Sequence, residues 1–185
     1  MEEFVTPRLL ASIGIASPPI SNKRGGSRFW ADAPRINASA SKLRIFGLAD
    51  LEQTSCAPDL IARHLPQRNA GFSLRLAVRM VESWLLADSE AVSIALSVPR
   101  NRVPAEPDLL LNPKESLVNL ARTSSRASVR SALVPRERSG AHVGPDYLAF
   151  MSRFVEERWR PQAAAARSPS LARALKRLQE VKAQP

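Results

Sequence analysis

The sequence contains very few of the residues that build disulfide or zinc sites. Its 185 residues include one cysteine, Cys56, and two histidines, His64 and His142. A single cysteine excludes an internal disulfide framework and is typical of proteins from a reducing compartment. The same shortage argues against a structural zinc site of the Cys/His kind. A metal ion would therefore have to be held by oxygen ligands.

Aromatic residues and long apolar runs are also scarce. Aromatic side chains make up 5% of the chain, against 44% hydrophobic residues overall, so the core should consist mainly of Leu, Val, Ile and Ala. No apolar run approaches the ~20 residues of a membrane span. The acidic start, Met1-Glu2-Glu3, differs from a basic secretory leader. We therefore expect a cytoplasmic protein that is not embedded in a membrane.

Acidic residues are fewer than basic residues in this chain. The sequence has 27 Lys and Arg residues against 17 Asp and Glu, a net charge of +10. This excess favours an anionic partner, and the phosphate backbone of nucleic acid is the first candidate. Because most of the basic residues are arginines, an Arg-rich proteome is the alternative explanation. Arginines recur over residues 122–138, but without aromatic neighbours that could stack on bases.

Hydrophobic patterning predicts an α/β fold. The apolar run Leu43–Leu48 is typical of a buried strand, and Phe72–Val81 alternates with the period of a half-buried strand. Helical patterns follow each of them, which predicts a parallel sheet with right-handed crossovers. Residues 17–42, rich in Ser, Pro and Gly, are predicted to form a loop. We expect a small parallel sheet flanked by helices over residues 1–98 and a mostly helical extension over residues 99–185.

Several helix starts can be located from local signals. Asp88 is a good N-cap for a helix that carries Ala91 and Val92. The tetrapeptide Asn112-Pro-Lys-Glu combines an N-cap, a proline at the first position and an acid at the third. Pro145 and Pro169 are predicted to begin the last two long helices.

Three acidic residues follow the two predicted strands. Asp50 and Glu52 come after the first strand, and Glu82 ends the second. Ligands of parallel sheets bind at the carboxyl ends of the strands, so these acids are predicted to meet and to bind Mg²⁺ or Mn²⁺. The alternative is structural, since such residues also form turns and cap helices. Lys114 is a candidate phosphate contact, or else a solvated lysine.

Two kinds of segment carry a resemblance to a known group of proteins. The strand followed by Ala49-Asp-Leu-Glu-Gln resembles the Asp-x-Asp turn of TOPRIM-like domains. Further segments are similar to an uncharacterised TOPRIM-like bacterial family: Glu82-x-Trp84-Leu-Leu-Ala-Asp88, Asn112-Pro-Lys114-Glu115, Val143-Gly-Pro145 and Arg167-Ser-Pro169-Ser-Leu. The first of these is the most specific.

The resemblance implies metal chemistry at carboxylates, and the sequence also departs from the family pattern. TOPRIM domains occur in topoisomerases, primases and nucleases, and their Asp-x-Asp carboxylates hold Mg²⁺. Asp50 would be the first of these carboxylates, and Glu52 stands where the second Asp is usual. The pattern also has an N-terminal strand that ends in a proton-handling glutamate. Because Met1 falls inside the helix after that strand, we expect both to be missing here.

Three functional hypotheses follow from these residues, and the third is a regulator that interacts only with other proteins. In the first, the protein is a nuclease-like, Mg²⁺-dependent enzyme that cleaves phosphodiester bonds, with Glu82 and Lys114 as catalytic residues and Asp50, Glu52 and Glu82 on the metal. In the second, the same fold is a non-catalytic subunit that binds nucleic acid or an ATPase partner. The ATPase and a phage-defence context are implied by the resemblance, since family members are encoded near such ATPases.

Overall fold

The computed structural model describes residues 1–16, 26–54 and 56–183. The fold is α/β, with 58% helix and a two-stranded parallel sheet. In chain order the elements are α1 (Glu2–Ser12), α2 (Gly26–Ser39), β1 (Ile45–Asp50), α3 (Ala57–His64), β2 (Phe72–Ala77), α4 (Val81–Ala87), α5 (Ser89–Leu96), α6 (Pro113–Arg122), α7 (Ala127–Leu133), α8 (Tyr147–Glu157), α9 (Pro161–Ala165) and α10 (Pro169–Ala183). Short 3₁₀ turns span Arg100–Arg102 and Pro107–Leu109. No helix within these described ranges is long and apolar enough to span a membrane.

The parallel pairing of β1 and β2 confirms the predicted sheet. Ile45 lies opposite Phe72, and Asp50 lies opposite Ala77, with α3 as the crossover between the strands. Both strands differ from the predicted bounds, since β1 includes Asp50 and β2 ends at Ala77. Glu82 therefore lies in the first turn of α4 and not at a strand end.

The prediction of a loop is wrong for α2. Phe29, Ala33 and Ile36 are spaced three and four residues apart, so they form an apolar helix face that packs beside the sheet. Pro34 lies inside this helix, and together with the Ser- and Gly-rich flanks it obscured the helical period. The part of the predicted loop at residues 17–25 lies outside the described residues.

Two hydrophobic cores lie on opposite faces of the sheet. The smaller core contains Phe72, Leu74 and Leu76 of β2, packed against α2 and α3. The larger core surrounds α4, whose seven residues are all buried. This core contains residues from both the N-terminal and the C-terminal parts of the chain. Trp84 and Trp159 are fully buried there, and the indole N–H of Trp159 donates to the carbonyl of Trp84 at 3.0 Å. Helix α4 is thus held firmly from all sides.

The helix caps predicted from the sequence are present. Asp88 Oδ1 accepts a hydrogen bond from the backbone N–H of Ala91 at 3.2 Å, and the guanidinium of Arg160 binds both oxygens of Asp88. Burial alone would raise the pKa of Asp88, but the hydrogen bonds from Arg160 and Ala91 lower it below its ordinary value. Asn112 Oδ1 accepts from the backbone N–H of Glu115 at 3.1 Å. These caps fix the start of α5 and the start of α6.

Candidate carboxylate site

The end of β1 and the start of α4 bring two acids together. Asp50 is the last residue of β1, and its Oδ1 accepts a hydrogen bond from the backbone N–H of Val81 at 2.9 Å. Val81 directly precedes Glu82 in the first turn of α4. This bond therefore holds Asp50 next to the acid of the following helix, close enough for their charges to interact. We call Asp50 and Glu82 the carboxylate pair.

The protonation of Asp50 reflects this crowding of negative charge. Burial raises the pKa of Asp50 from its ordinary value of 3.8 to about 8, and the negative charges of Glu2 and Glu82 add to the effect. The Val81 N–H and the positive charge of Lys114 act in the opposite direction, but less strongly. At pH 7 the Asp50 carboxyl is therefore mostly protonated, while its Oδ1 accepts the Val81 bond.

Glu82 is the most buried acid of the site, with 1% of its surface exposed. Its Oε1 accepts a hydrogen bond from the Tyr147 hydroxyl at 3.1 Å, and Lys114 Nζ lies 3.4 Å from the same oxygen. The other oxygen, Oε2, is buried and has no hydrogen-bond partner among the described residues. A buried carboxylate oxygen without a partner is costly. Oε2 is thus open to a ligand that these residues do not supply.

Tyr147 is a site residue that sequence reasoning did not identify. It is the only tyrosine of the chain, and its hydroxyl donates to Glu82 from the first residue of α8. Burial raises the pKa of Tyr147 above its ordinary value of 10, and the charge of Glu82 and its hydrogen bond add to the shift. The phenol therefore remains a neutral donor that fixes the orientation of Glu82. The only signal in the sequence was a lone tyrosine just after the predicted helix start at Pro145.

A glycine positions this tyrosine. The backbone N–H of Gly144 donates to the carbonyl of Leu133 at 2.9 Å, which joins the start of α8 to the end of α7. A Cβ atom at Gly144 would collide with the backbone of Ala132 and Leu133. Only glycine allows this close approach, so Gly144 helps to fix where α8 begins and where Tyr147 lies.

Lys114 lies at the open side of the site. It occupies the first turn of α6, after the Asn112 cap and Pro113, and 41% of its side chain is exposed. The structure thus places Lys114 beside Glu82, although the two residues are far apart in sequence. A half-exposed ammonium group next to a buried carboxylate can neutralise that carboxylate and also contact an incoming anion.

Glu52 does not join the other two acids. The turn after β1 has a positive φ of 53° at Glu52, and its side chain is exposed. The turn is held by Arg79, whose carbonyl accepts from the Glu52 N–H at 2.8 Å and whose guanidinium donates to the Glu52 carbonyl at 3.2 Å. Within the described part of the chain, no group of three or more His, Cys, Asp and Glu side chains is arranged to hold a metal. The expected trio of Asp50, Glu52 and Glu82 is therefore reduced to a pair.

The carboxylate pair still offers a suitable donor set for a small hard cation. Mg²⁺ keeps several of its waters and is commonly held by one or two carboxylates together with substrate phosphates. Glu82 Oε2 has no partner among the residues described, and the Asp50 carboxyl holds a proton that a cation could replace. The residues present thus fit Mg²⁺ or Mn²⁺ at two carboxylates, without Glu52.

The arginines of residues 122–138 serve local structure at two positions. Arg126 donates to the carbonyl of Ala95, and Arg130 donates to the carbonyl of Ser124, so both stabilise the connection between α6 and α7. All five arginines of this segment are exposed: Arg122, Arg126, Arg130, Arg136 and Arg138.

No protein-family model, no curated protein and no solved structure matches this chain. The resemblance to TOPRIM-like proteins therefore stays a prediction. What the protein can do has to be inferred from the chemistry of the carboxylate pair, Lys114 and Tyr147.

Proposed function

We propose that the carboxylate pair binds Mg²⁺ or Mn²⁺ and that the protein cleaves phosphodiester bonds of nucleic acid at this site. The observation that carries the proposal is the burial of two neighbouring acids at the carboxyl end of a parallel sheet. One acid of the pair holds a proton at pH 7, and the other has an oxygen without a partner among the described residues. The net charge of +10 supports an anionic substrate for the same protein.

Each residue of the site has a distinct role in this proposal. Asp50 Oδ2 and Glu82 Oε2 would hold the cation, because the other oxygen of each carboxylate is already engaged. A bound divalent cation would supply charge stabilisation at a phosphoryl oxygen and a more acidic water. Tyr147 holds Glu82 in place through its hydroxyl, and Lys114 binds a phosphate oxygen of the substrate from the exposed side of the site.

Calorimetric titration of Mg²⁺ and Mn²⁺ tests the proposal with a matched pair of variants. Asp50→Asn retains an oxygen acceptor for the Val81 N–H but removes the carboxylate, whereas Glu52→Gln removes the same charge from an exposed acid. We expect cation binding, and Mn²⁺-dependent cleavage of a labelled oligonucleotide, to be lost in Asp50→Asn and retained in Glu52→Gln. Absence of binding in the unmodified protein, or equal loss in both variants, would contradict the proposal.

The second candidate is a non-catalytic subunit of the same fold that binds nucleic acid or an ATPase. The ion pair of Lys114 and Glu82 favours it, because a cation supplied by the chain already lies 3.4 Å from the buried carboxylate. In that case the site is structural and Lys114 replaces the metal. Nucleic-acid binding that is unaffected by EDTA, together with no cation binding, would support this candidate. The ATPase partner and the phage-defence context rest on the resemblance alone.

A further inference from the structure

An open cavity lies at the end of α5, and none of its lining residues belongs to the carboxylate site. Its volume is about 540 Å³, within the usual ~300–1,000 Å³ of small-molecule sites. Three segments line it: the last turn of α5 with residues 97–99, Arg102 of the first 3₁₀ turn, and Thr123 with Ser125 between α6 and α7. Thr123 lies nine residues after Lys114 along α6, about 14 Å at ~1.5 Å per residue. We call this cavity the hydroxyl cavity.

Hydrogen bonds to backbone carbonyls hold the wall of the hydroxyl cavity together. Ser97 ends α5 in the left-handed conformation, and its carbonyl accepts from both the N–H and the hydroxyl of Ser125, each at 3.2 Å. Arg126 donates to the carbonyl of Ala95 from the same connection. These bonds join the segments before a ligand binds. They also engage carbonyls at the end of α5, which lowers their repulsion of a bound anion.

Three of the hydroxyl side chains in this wall already donate their hydrogen to a backbone carbonyl. Ser93 donates at 2.7 Å, Thr123 at 2.8 Å and Ser125 at 3.2 Å. A hydroxyl has one hydrogen and two lone pairs, so each of these oxygens remains an acceptor. The wall therefore favours a ligand that carries N–H or O–H donors.

The rest of the wall is positively charged and apolar. Arg102 is exposed, and of the residues that the structure describes, none forms an ion pair or hydrogen bond with its guanidinium. No acidic residue lines the cavity. Ile94, with 56% of its surface exposed, and Pro99 supply an apolar surface beside the hydroxyls. A ligand that suits this wall combines a negative charge, hydrogen-bond donors and an apolar part.

We propose that the hydroxyl cavity binds one nucleotide. Its phosphate pairs with Arg102, its base covers Ile94, and the N–H and O–H groups of its base and sugar donate to the hydroxyl oxygens. An inorganic anion would use the arginine alone, and an apolar ligand would leave the hydroxyl oxygens without donors. A free nucleotide and one unit of a nucleic-acid strand offer the same groups. Binding at this cavity requires neither a cation nor the carboxylate pair.

Titration of the ¹⁵N-labelled protein with AMP in EDTA, followed through backbone amide signals in NMR spectra, tests this inference. We expect shifts to concentrate at residues 93–102 and 123–125. Arg102→Gln should weaken binding by about tenfold or more, because it removes a charge-assisted hydrogen bond. Arg122→Gln is the matched control, an exposed arginine beside Thr123 that does not line the cavity, and should change the affinity by less than about twofold. Shifts confined to other parts of the chain, or equal weakening by both variants, would overturn the inference.

A second variant guards against misfolding of the first. Ile94→Asp places a negative charge in the cavity at an exposed position of α5 and should weaken AMP binding as Arg102→Gln does. Circular dichroism shows whether each variant is folded. Asp50→Asn should bind AMP in EDTA as the unmodified protein does while failing to bind Mn²⁺, so this inference and the proposed function can fail separately.

Ligands that lack one part of a nucleotide show which part is recognised. Adenosine and inorganic phosphate should each bind at least about tenfold more weakly than AMP, and equal affinity of either would overturn the assignment to a nucleotide. Equal competition by a capped aspartate-containing tripeptide would overturn it in favour of an acidic peptide. A 5′-phosphorylated tetranucleotide distinguishes the two sources, because it should bind more tightly than AMP if the cavity holds one unit of a strand and no more tightly if it holds a free nucleotide.

Discussion

Asp50 and Asp88 are two acids removed from solvent whose surroundings act in opposite directions. Burial raises the pKa of Asp50 to about 8, and the negative charges of Glu2 and Glu82 add to the effect. Burial acts in the same direction on Asp88, but the hydrogen bonds from Arg160 and Ala91 lower its pKa below the ordinary value. The difference lies in the partners, because Arg160 donates to both oxygens of Asp88 whereas Asp50 lies close to further acids.

This difference predicts a different dependence on external cations. A cation must compete with a proton at the carboxylate pair, so its binding there should depend on pH. Asp88 already holds the guanidinium of Arg160, so the start of α5 should need no external cation.

The affinity for Mn²⁺ should rise steeply with pH. Because the cation replaces the proton on Asp50, the dissociation constant should fall about tenfold for each pH unit below the pKa of about 8 and level off above it. Between pH 6 and pH 8 this amounts to roughly 50-fold, measurable by calorimetry. A pH-independent Mn²⁺ affinity would contradict the role of Asp50.

Asp50→Asn should stabilise the fold at alkaline pH. The pKa of Asp50 is raised on folding, so the native state binds more protons than the unfolded state between about pH 4 and pH 8, and stability falls as pH rises through this window. Asparagine retains the Val81 bond without this penalty. At pH 8.5 we expect an increase in the free energy of unfolding on the order of 2 kcal/mol, and a Tm higher by several degrees.

The increase in the free energy of unfolding caused by Asp50→Asn should vanish near pH 4, where the native carboxyl is protonated without penalty. A variant that is less stable than the unmodified protein at pH 8.5 would show that the carboxylate itself supports the fold. Thermal unfolding monitored by circular dichroism at both pH values distinguishes the two results.

Lys114→Gln should destabilise the fold by leaving Glu82 with a weaker set of partners. We expect a loss of about 1–2 kcal/mol, below the usual cost of breaking a buried pair because 41% of the lysine side chain is exposed. Lys176→Gln, at an exposed position of α10, serves as a control of equal charge. If the carboxylate pair binds cations, added Mg²⁺ should recover part of the loss, whereas no recovery would favour a structural role for the ion pair.

Tyr147→Phe should have the smallest effect, about 1 kcal/mol, because it removes one hydrogen bond to Glu82. The same bond can be followed without mutation, since Tyr147 is the only tyrosine of the chain. Its raised pKa predicts no tyrosinate absorbance near pH 10 while the protein stays folded. A normal titration in the folded state would show that the hydroxyl is not buried against Glu82.

The sequence predicted those features that depend on local pattern. The parallel strands and the caps at Asp88 and Asn112 follow from periodicity and from residue types within a few positions. Helix α2 was missed because Pro34 and its Ser- and Gly-rich flanks outweighed a helical spacing that becomes clear only when its apolar face is seen against the sheet.

The composition of the carboxylate site could be predicted only in part. Asp50 and Glu82 were identified because both follow strands, although Glu82 reaches the site from the first turn of α4. The orientation of Glu52 depends on two hydrogen bonds with Arg79, and the hydrogen bond from Tyr147 to Glu82 joins elements 65 residues apart. Such tertiary contacts leave no local pattern in the sequence.

The central claim is that the carboxylate pair exchanges a proton for an external cation. Calorimetric titration of Mn²⁺ at pH 7, in two buffers of different ionisation enthalpy, measures this exchange directly. With the pKa of Asp50 at about 8, close to one proton should be released for each cation bound. Cation binding without proton release, or the same release from Asp50→Asn, would contradict the account.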